Sequence, residues 1–220
     1  MKKKLALILA GTAMAAMVLA GCGDKNNASG EDVKTAESVE DKKTFTVGFD
    51  AEYPPYGYMD ENGEYTGFDL ELAEAVCKLE GWELVKKPLN WDSKDMELNS
   101  GSIDCIWNGF TMNGREDDYT FSTPYVDNSQ VIVVAEKSGI DTLEDLAGKT
   151  VGVQAASAAL DLLKSEEEGG QKKLADTFGA LNEFADYNTA FTELQAGALD
   201  ALAIDVGVAN YQIKSRGDGY

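Results

Sequence analysis

Phe45, Val47 and Phe49 alternate with polar or small residues, and this period of two predicts a half-buried strand. Tyr53-Pro54-Pro55-Tyr56 then interrupts any regular element, and Asp60-Glu61-Asn62-Gly63 carries an Asn-Gly turn signal. From Asp69 the period changes. Leu72, Ala73, Val76, Cys77 and Leu79 predict the apolar face of a helix that Asp69 caps and Gly81 ends. Trp82 to Val85 predicts a strand, Ser93 to Asn99 a helix, and Ile103 to Trp107 a buried strand. Further on, the β-branched run Val131 to Ala135 predicts a connecting strand, and Asp141-Thr142-Leu143-Glu144 a helix start. Thr150 to Val153 predicts another strand, followed by helices around Ala158 to Lys164 and Ala190 to Ala196. Between those helices, Ser165 to Gly170 is an acidic loop with a glycine turn, read as solvated surface. Strands alternating with helices predict an α/β protein built on parallel sheets.

The pattern also occurs twice. Glu97-Leu98-Asn99-Ser100-Gly101-Ser102-Ile103-Asp104-Cys105-Ile106 is echoed by Glu193-Leu194-Gln195-Ala196-Gly197-Ala198-Leu199-Asp200-Ala201-Leu202. Upstream of each, Thr46-Val47-Gly48-Phe49-Asp50 is echoed by Thr150-Val151-Gly152-Val153-Gln154. Two similarly built halves facing one cleft are the expectation.

The ends and the composition narrow the setting. Lys2, Lys3 and Lys4 precede an apolar run from Leu5 to Ala20, shorter than the roughly 20 residues a spanning helix needs. Its small residues suit a signal peptide. The run closes on Leu19-Ala20-Gly21-Cys22, which resembles a bacterial lipobox. Cleavage would leave Cys22 carrying diacylglycerol and place the body of the protein outside the cytoplasmic membrane. The chain carries a net charge of −20, and the portion from Cys22 onward −23. Without clustered Lys and Arg, nucleic-acid binding is not expected. There is no histidine, which excludes Ser-His-Asp and Cys-His catalysis and any histidine-ligated metal. Cys77 and Cys105 lie among apolar neighbours, where free cysteine behaves as a small core residue, although an exported protein permits a disulfide. Gly23 to about Lys43 is too polar to order itself and reads as a tether.

In open α/β sheets, ligands bind beyond the carboxyl ends of the strands. That rule nominates Asp50 and Tyr53 after the first strand and Asn108, Gly109 and Thr111 after Trp107. In the second half it nominates Gln154 and Ser157 after Val153, and Asp205 after Ala201 to Ile204. Arg115 lies just beyond Thr111. One arginine, one isolated aspartate, several hydroxyls and aromatic walls fit a zwitterion, with Arg115 holding a carboxylate and Asp205 accepting an ammonium. Each residue also has an ordinary structural role available. Arg115 pairs equally well with Asp117 or Asp118, Asp205 with the end of a following helix, Thr111 with a turn. Tyr53 and Trp91 serve as readily as core or rim aromatics.

Val47 to Tyr56 and Gly67-Phe68-Asp69-Leu70-Glu71-Leu72-Ala73 resemble the opening of polar amino-acid substrate-binding proteins of ABC importers. Asp104 to Arg115 with Phe121-Ser122-Thr123-Pro124-Tyr125, and Gly148 to Gln154, are similar to that family's central signature and second-lobe entry. The likeness covers Thr44 to Tyr220. It implies a two-lobed type II periplasmic-binding-protein fold that closes on an L-amino acid, delivers it to the importer's permease and needs no cofactor, metal or catalysis. The implied layout is a signal peptide over 1–21, a tether over 22–43, a first lobe over 44–130, a hinge strand over 131–138 and a second lobe over 139–220. By position, Arg115 takes the α-carboxylate, helped by Thr111 and the backbone near Ser157 and Ala158. Asp205, with Gly109 and Thr111, holds the α-ammonium. Asp50, Trp91 and Gln154 meet the side chain, Tyr53 stacks over the ligand, and Asn108 lines the pocket. The stretch from Thr111 to Arg115 is one residue shorter than the family pattern, a departure that bears on the arginine's geometry. The family also continues past the position of Tyr220, so a fold incomplete at the C-terminus, with impaired folding or closure, is expected. A monomer anchored by lipid on the outer face of the cell membrane follows from the same likeness. The competing classes are an enzyme on this fold, such as a dehydratase, and the ligand module of a receptor.

Overall fold

The computed structural model describes residues 43–217 and 219–220, so the leader, Cys22 and nearly all of the tether lie outside the described residues. In chain order the elements are β1 (Thr44–Phe49), β2 (Glu52–Tyr53), β3 (Gly57–Met59), β4 (Tyr65–Thr66), α1 (Phe68–Glu80), β5 (Glu83–Pro88), α2 (Lys94–Asn99) and β6 (Cys105–Ile106). There follow β7 (Gln130–Val134), β8 (Thr150–Gln154), α3 (Ala158–Lys164), α4 (Lys172–Ala175), β9 (Ala180–Phe184), α5 (Tyr187–Gln195), β10 (Ala201–Asp205) and α6 (Val206–Arg216).

Two larger sheets carry the two halves. The first has the order β5-β1-β6, all parallel; the second has the order β7-β10-β8-β9, parallel except for β7. A third small sheet, β2-β3-β4, is antiparallel and follows the first strand directly. The connecting run expected near Val131 is therefore β7, hydrogen-bonded into the second sheet along β10.

The sequence repeat has a concrete structural meaning. Asp104 in the first copy accepts a hydrogen bond from the Thr46 amide at 2.7 Å and returns one to the Thr46 carbonyl at 2.8 Å. Asp200 in the second copy does the same with Thr150, at 2.8 and 2.9 Å. Each repeat aspartate thus locks the strand that ends its copy to the first strand of its half. These aspartates hold the sheets in register, and the cleft residues follow them in sequence.

Some expectations are corrected. Asp69 does not cap α1: Gly67 occupies that position and Asp69 is buried within the first turn. The buried stripe of α1 is Asp69, Leu70, Ala73 and Cys77, while Val76 faces solvent and Leu79 is 84 % exposed. The strand read at Trp82 to Val85 is shifted to Glu83–Pro88, and the buried strand read at Ile103 to Trp107 is only the half-buried pair Cys105–Ile106. The helix start at Thr142 yields one 3-10 turn, Leu143–Leu146, closed by a capping box between Thr142 and Asp145. Both Cys77 and Cys105 are free thiols.

Three cores support this frame. One lies under the first sheet around Val47, Phe49, Leu70 and Ala73, and one under the second around Leu146, Val151, Val153 and Leu160. The third joins the halves: Tyr53 and Tyr56 pack with Tyr187, Phe191, Leu202 and Ile204. Tyr56 reaches so far across that Gly207, in the first turn of α6, is the one residue type its hydroxyl tolerates. A β-carbon at 207 would run into that hydroxyl and come within 3.0 Å of Cζ.

Candidate functional site

The carboxyl ends of β1, β6, β8 and β10 meet where the halves face each other. Every nominated residue except Asp50 lines one cavity there, of about 10 Å³, and Phe110 joins them. The set is Tyr53, Trp91, Asn108, Gly109, Thr111, Arg115, Gln154, Ser157, Ala158 and Asp205. Asp50 stands behind that wall, and Gln154 shields it by donating to its carboxylate at 2.6 Å.

The second half contributes the anionic pole. Asp205 begins α6 but makes no side-chain cap bond. Its carboxylate turns into the cleft instead, accepting from the Tyr53 hydroxyl, from the Asn128 amide and from Gln130 Nε2, the last at 2.7 Å. Asn128 also donates to the Thr111 hydroxyl at 3.1 Å, so the ends of β10 and the segment after β6 are tied together. Burial, and then the Asp205 charge, push the Tyr53 hydroxyl well above its ordinary range, so it remains a donor. Gly109 adopts φ 57°, and its Cα lies against the Tyr56 ring, where a β-carbon would meet ring atoms at 3.2–3.3 Å.

The first half contributes the cationic pole. The Arg115 side chain is 11 % exposed and its guanidinium carbon lies 4.7 Å from the centre of the Phe110 ring. It donates to the Ala156 carbonyl at 3.3 Å and to Asp161 at 2.6 Å, both in the second half. The partner is Asp161, rather than Asp117 or Asp118 nearby in sequence, because the loop turns the side chain into the cleft. Ser157 caps α3, accepting from the Leu160 amide at 3.2 Å and donating to the Gln154 carbonyl at 2.7 Å, which leaves it no free hydroxyl proton.

Electrostatics at the far end are unusual for a protein without histidine. Burial lifts Asp50 to about 6, with the Asp186 and Glu52 charges adding to the rise against the hydrogen bonds from the Glu52 amide and Gln154. Burial likewise lifts Asp69 to about 6, against hydrogen bonds from Tyr125 and the Gly109 amide. Each group binds its proton more tightly folded than unfolded. Its stabilising contribution is therefore full below about pH 4 and is lost as the pH rises through 6. Wild-type protein is expected to lose on the order of 1 kcal/mol per group between pH 5 and 7.5. Asp50→Asn should lose Asp69's share alone, as read from urea midpoints at the two pH values. Identical pH dependence in variant and wild type would refute the assignment.

Phe110, Asn128, Gln130 and Asp161 were not nominated from sequence. Phe110 sits between two residues that were, so its position was the available signal; the others reach the site through long-range packing.

Residues 45–205 match the family model for bacterial extracellular solute-binding proteins, family 3. The chain belongs to this family. It is 31 % identical over 208 residues to the L-cystine-binding protein TcyJ of Escherichia coli strain K12, covering 93 % of this chain and 74 % of that protein. It is 33 % identical over 220 residues to the arginine-binding extracellular protein ArtP of Bacillus subtilis strain 168, covering 99 % and 78 %. Among solved structures, it resembles a substrate-binding protein of an ABC uptake transporter from Streptococcus pneumoniae with bound histidine. The TM-score there is 0.74 at 35 % identity, over 80 % of this chain and 71 % of that one. An ancestral amino-acid-binding protein described as a precursor of cyclohexadienyl dehydratase aligns at TM-score 0.71 and 31 % identity, over 79 % and 74 %. The solute-binding family and these neighbours share the two-lobed type II periplasmic-binding-protein fold.

Proposed function

We propose that this solute-binding protein captures an L-amino acid between its two halves and hands it to the permease of an ABC importer, without chemistry on the ligand. The observation that carries this reading is a cleft with a guanidinium on one wall and a buried, hydrogen-bonded carboxylate on the other. Arg115 takes the α-carboxylate with Thr111 and the backbone at Ser157 and Ala158 beside it. Asp205 takes the ammonium together with Gly109 and Thr111. Tyr53 and Trp91 supply apolar walls with Asn108 between them.

The ligand's side-chain end favours positive charge. Asp50 is buried, Asp186 and Glu52 add further negative charge beside it, and the Gln154 amide is its one side-chain donor among the described residues. A cationic or imidazole side chain that displaced Gln154 would neutralise a carboxylate now held at a cost in solvation. The names of ArtP and of the histidine-bound Streptococcus protein are in line with this. We place the protein on the outer face of the cell membrane, tethered through Cys22 and acting as a monomer. A catalytic role, which the dehydratase precursor raises, would need an acid or base within hydrogen-bond reach of a bond to be broken in the ligand; in the present reading Asp205 meets the ammonium and Asp50 the side-chain end instead.

Calorimetric titration with the proteinogenic amino acids and L-cystine tests the proposal. One saturable site is expected, tighter for basic ligands than for neutral ones of the same length. Disappearance of the ligand with appearance of a product would replace this reading with an enzymatic one.

A further inference from the structure

Asp205 pairs with Gln130 at the end of the β10–β7 ladder, and the Val206 amide donates to the Ser129 carbonyl at 2.9 Å. That register brings Asn128, one residue further back, to the cleft, where its side chain bridges the two poles of the site. Its Nδ2 donates to Oδ1 of Asp205 and to the Thr111 hydroxyl, the latter at 3.1 Å. Thr111 in turn stands at the cationic pole. Its carbonyl accepts from Arg115 Nη1 at 3.4 Å, and both residues line the cavity.

The direction of these bonds is set from the Asp205 end. That carboxylate also accepts from Tyr53 and from Gln130, so it meets Asn128 with a lone pair. The Asn128 amide therefore turns its NH2 group inward, because the flipped amide would set two oxygens against each other. One N–H goes to Asp205 and the other to Thr111. A hydroxyl has one proton and two lone pairs. With a lone pair engaged by Asn128, the Thr111 proton points away from it, and no acceptor for that proton is found among the described residues. An oxygen seated in the cavity beside Arg115 would take it. A hydroxyl free to turn would instead present a lone pair to that oxygen part of the time, which repels it.

We propose that Asn128 is a positioning residue: it relays the polarity of Asp205 to the Thr111 hydroxyl and fixes that hydroxyl as a donor to a carboxylate oxygen of the bound amino acid. This rests on the amino-acid reading of the site. The ammonium and carboxylate ends of the ligand are then read by one connected chain of hydrogen bonds, Asp205 to Asn128 to Thr111.

The test is a double-mutant cycle by calorimetry, using the amino acid that wild type binds best among the proteinogenic set. Asn128→Ala is expected to weaken binding about five- to tenfold. Combined with Thr111→Val, which itself costs about tenfold, Asn128→Ala should cost less than a further twofold, since no hydroxyl is left to orient. Combined with Thr111→Ser, which keeps the hydroxyl, the full loss should return. A residue that merely props the loop would cost the same in all three backgrounds. Asn128 is exposed, so thermal melts of Asn128→Ala should stay close to those of wild type. A loss below twofold for Asn128→Ala alone, or an equal loss with and without the Thr111 hydroxyl, overturns the proposal while leaving the amino-acid reading intact. A wild-type protein that binds no amino acid overturns both, and that is seen in the first titration.

Discussion

Arg115→Ala is expected to weaken amino-acid binding by two to three orders of magnitude while leaving the ligand-free protein nearly as stable as before. Removing one partner of a buried charge pair leaves the other uncompensated, at a cost of about 3–5 kcal/mol. Here the uncompensated group would be the ligand carboxylate, enclosed by Phe110, Thr111 and the start of α3. The free protein is spared because Arg115's present partner, Asp161, is 60 % exposed and regains water when the guanidinium goes. Arg115→Lys should recover part of the affinity, since a point charge replaces a two-pronged donor. Titration calorimetry with thermal melts separates the two effects. A loss of less than tenfold would show that the carboxylate sits elsewhere.

Asp205→Asn carries the second large effect, and its origin differs. Asp205 is 3 % exposed and accepts from Tyr53, Asn128 and Gln130, all donors. Asparagine keeps the shape but removes the charge that attracts an ammonium and points an NH2 group at one or more of those donors. Affinity for amino acids should fall by about 2–4 kcal/mol, and some thermal stability should go with it. The control is a ligand with a hydroxyl in place of the ammonium. It should bind wild type weakly and lose little more in the variant. If both ligands lose equally, Asp205 acts on the architecture of the cleft and not on the ammonium.

Much of this arrangement was legible along the chain. The period-two run at Phe45, Val47 and Phe49 and the helix Ala158–Lys164 are where the pattern puts them. The strand-end rule reached Tyr53, Asn108, Gly109, Thr111, Gln154, Ser157 and Asp205 of the cleft because parallel strands deliver their C-terminal residues to one edge, while Trp91, Arg115 and Ala158 came from the resemblance or from neighbouring positions. What escaped did so for physical reasons. The strands β2 to β4 are two or three residues long around a double proline, too short to show a period. α6 buries Val208, Ala209 and Gln212 and shows little apolar contrast between its faces. Leu79 belonged to the helical pattern of α1, yet packing selected the stripe through Leu70 and Ala73 instead. Asn128 and Asp161 are separated in sequence from what they touch by 77 and 46 residues, and nothing local marks such a pairing.

The contact between Tyr56 and Gly207 has an evolutionary corollary. The two positions are 151 residues apart in the numbering, yet the hydroxyl of one occupies the room that a side chain on the other would need. They should drift together. Relatives that carry alanine or anything larger at the position of Gly207 should have a smaller residue at that of Tyr56, or hold their two halves farther apart.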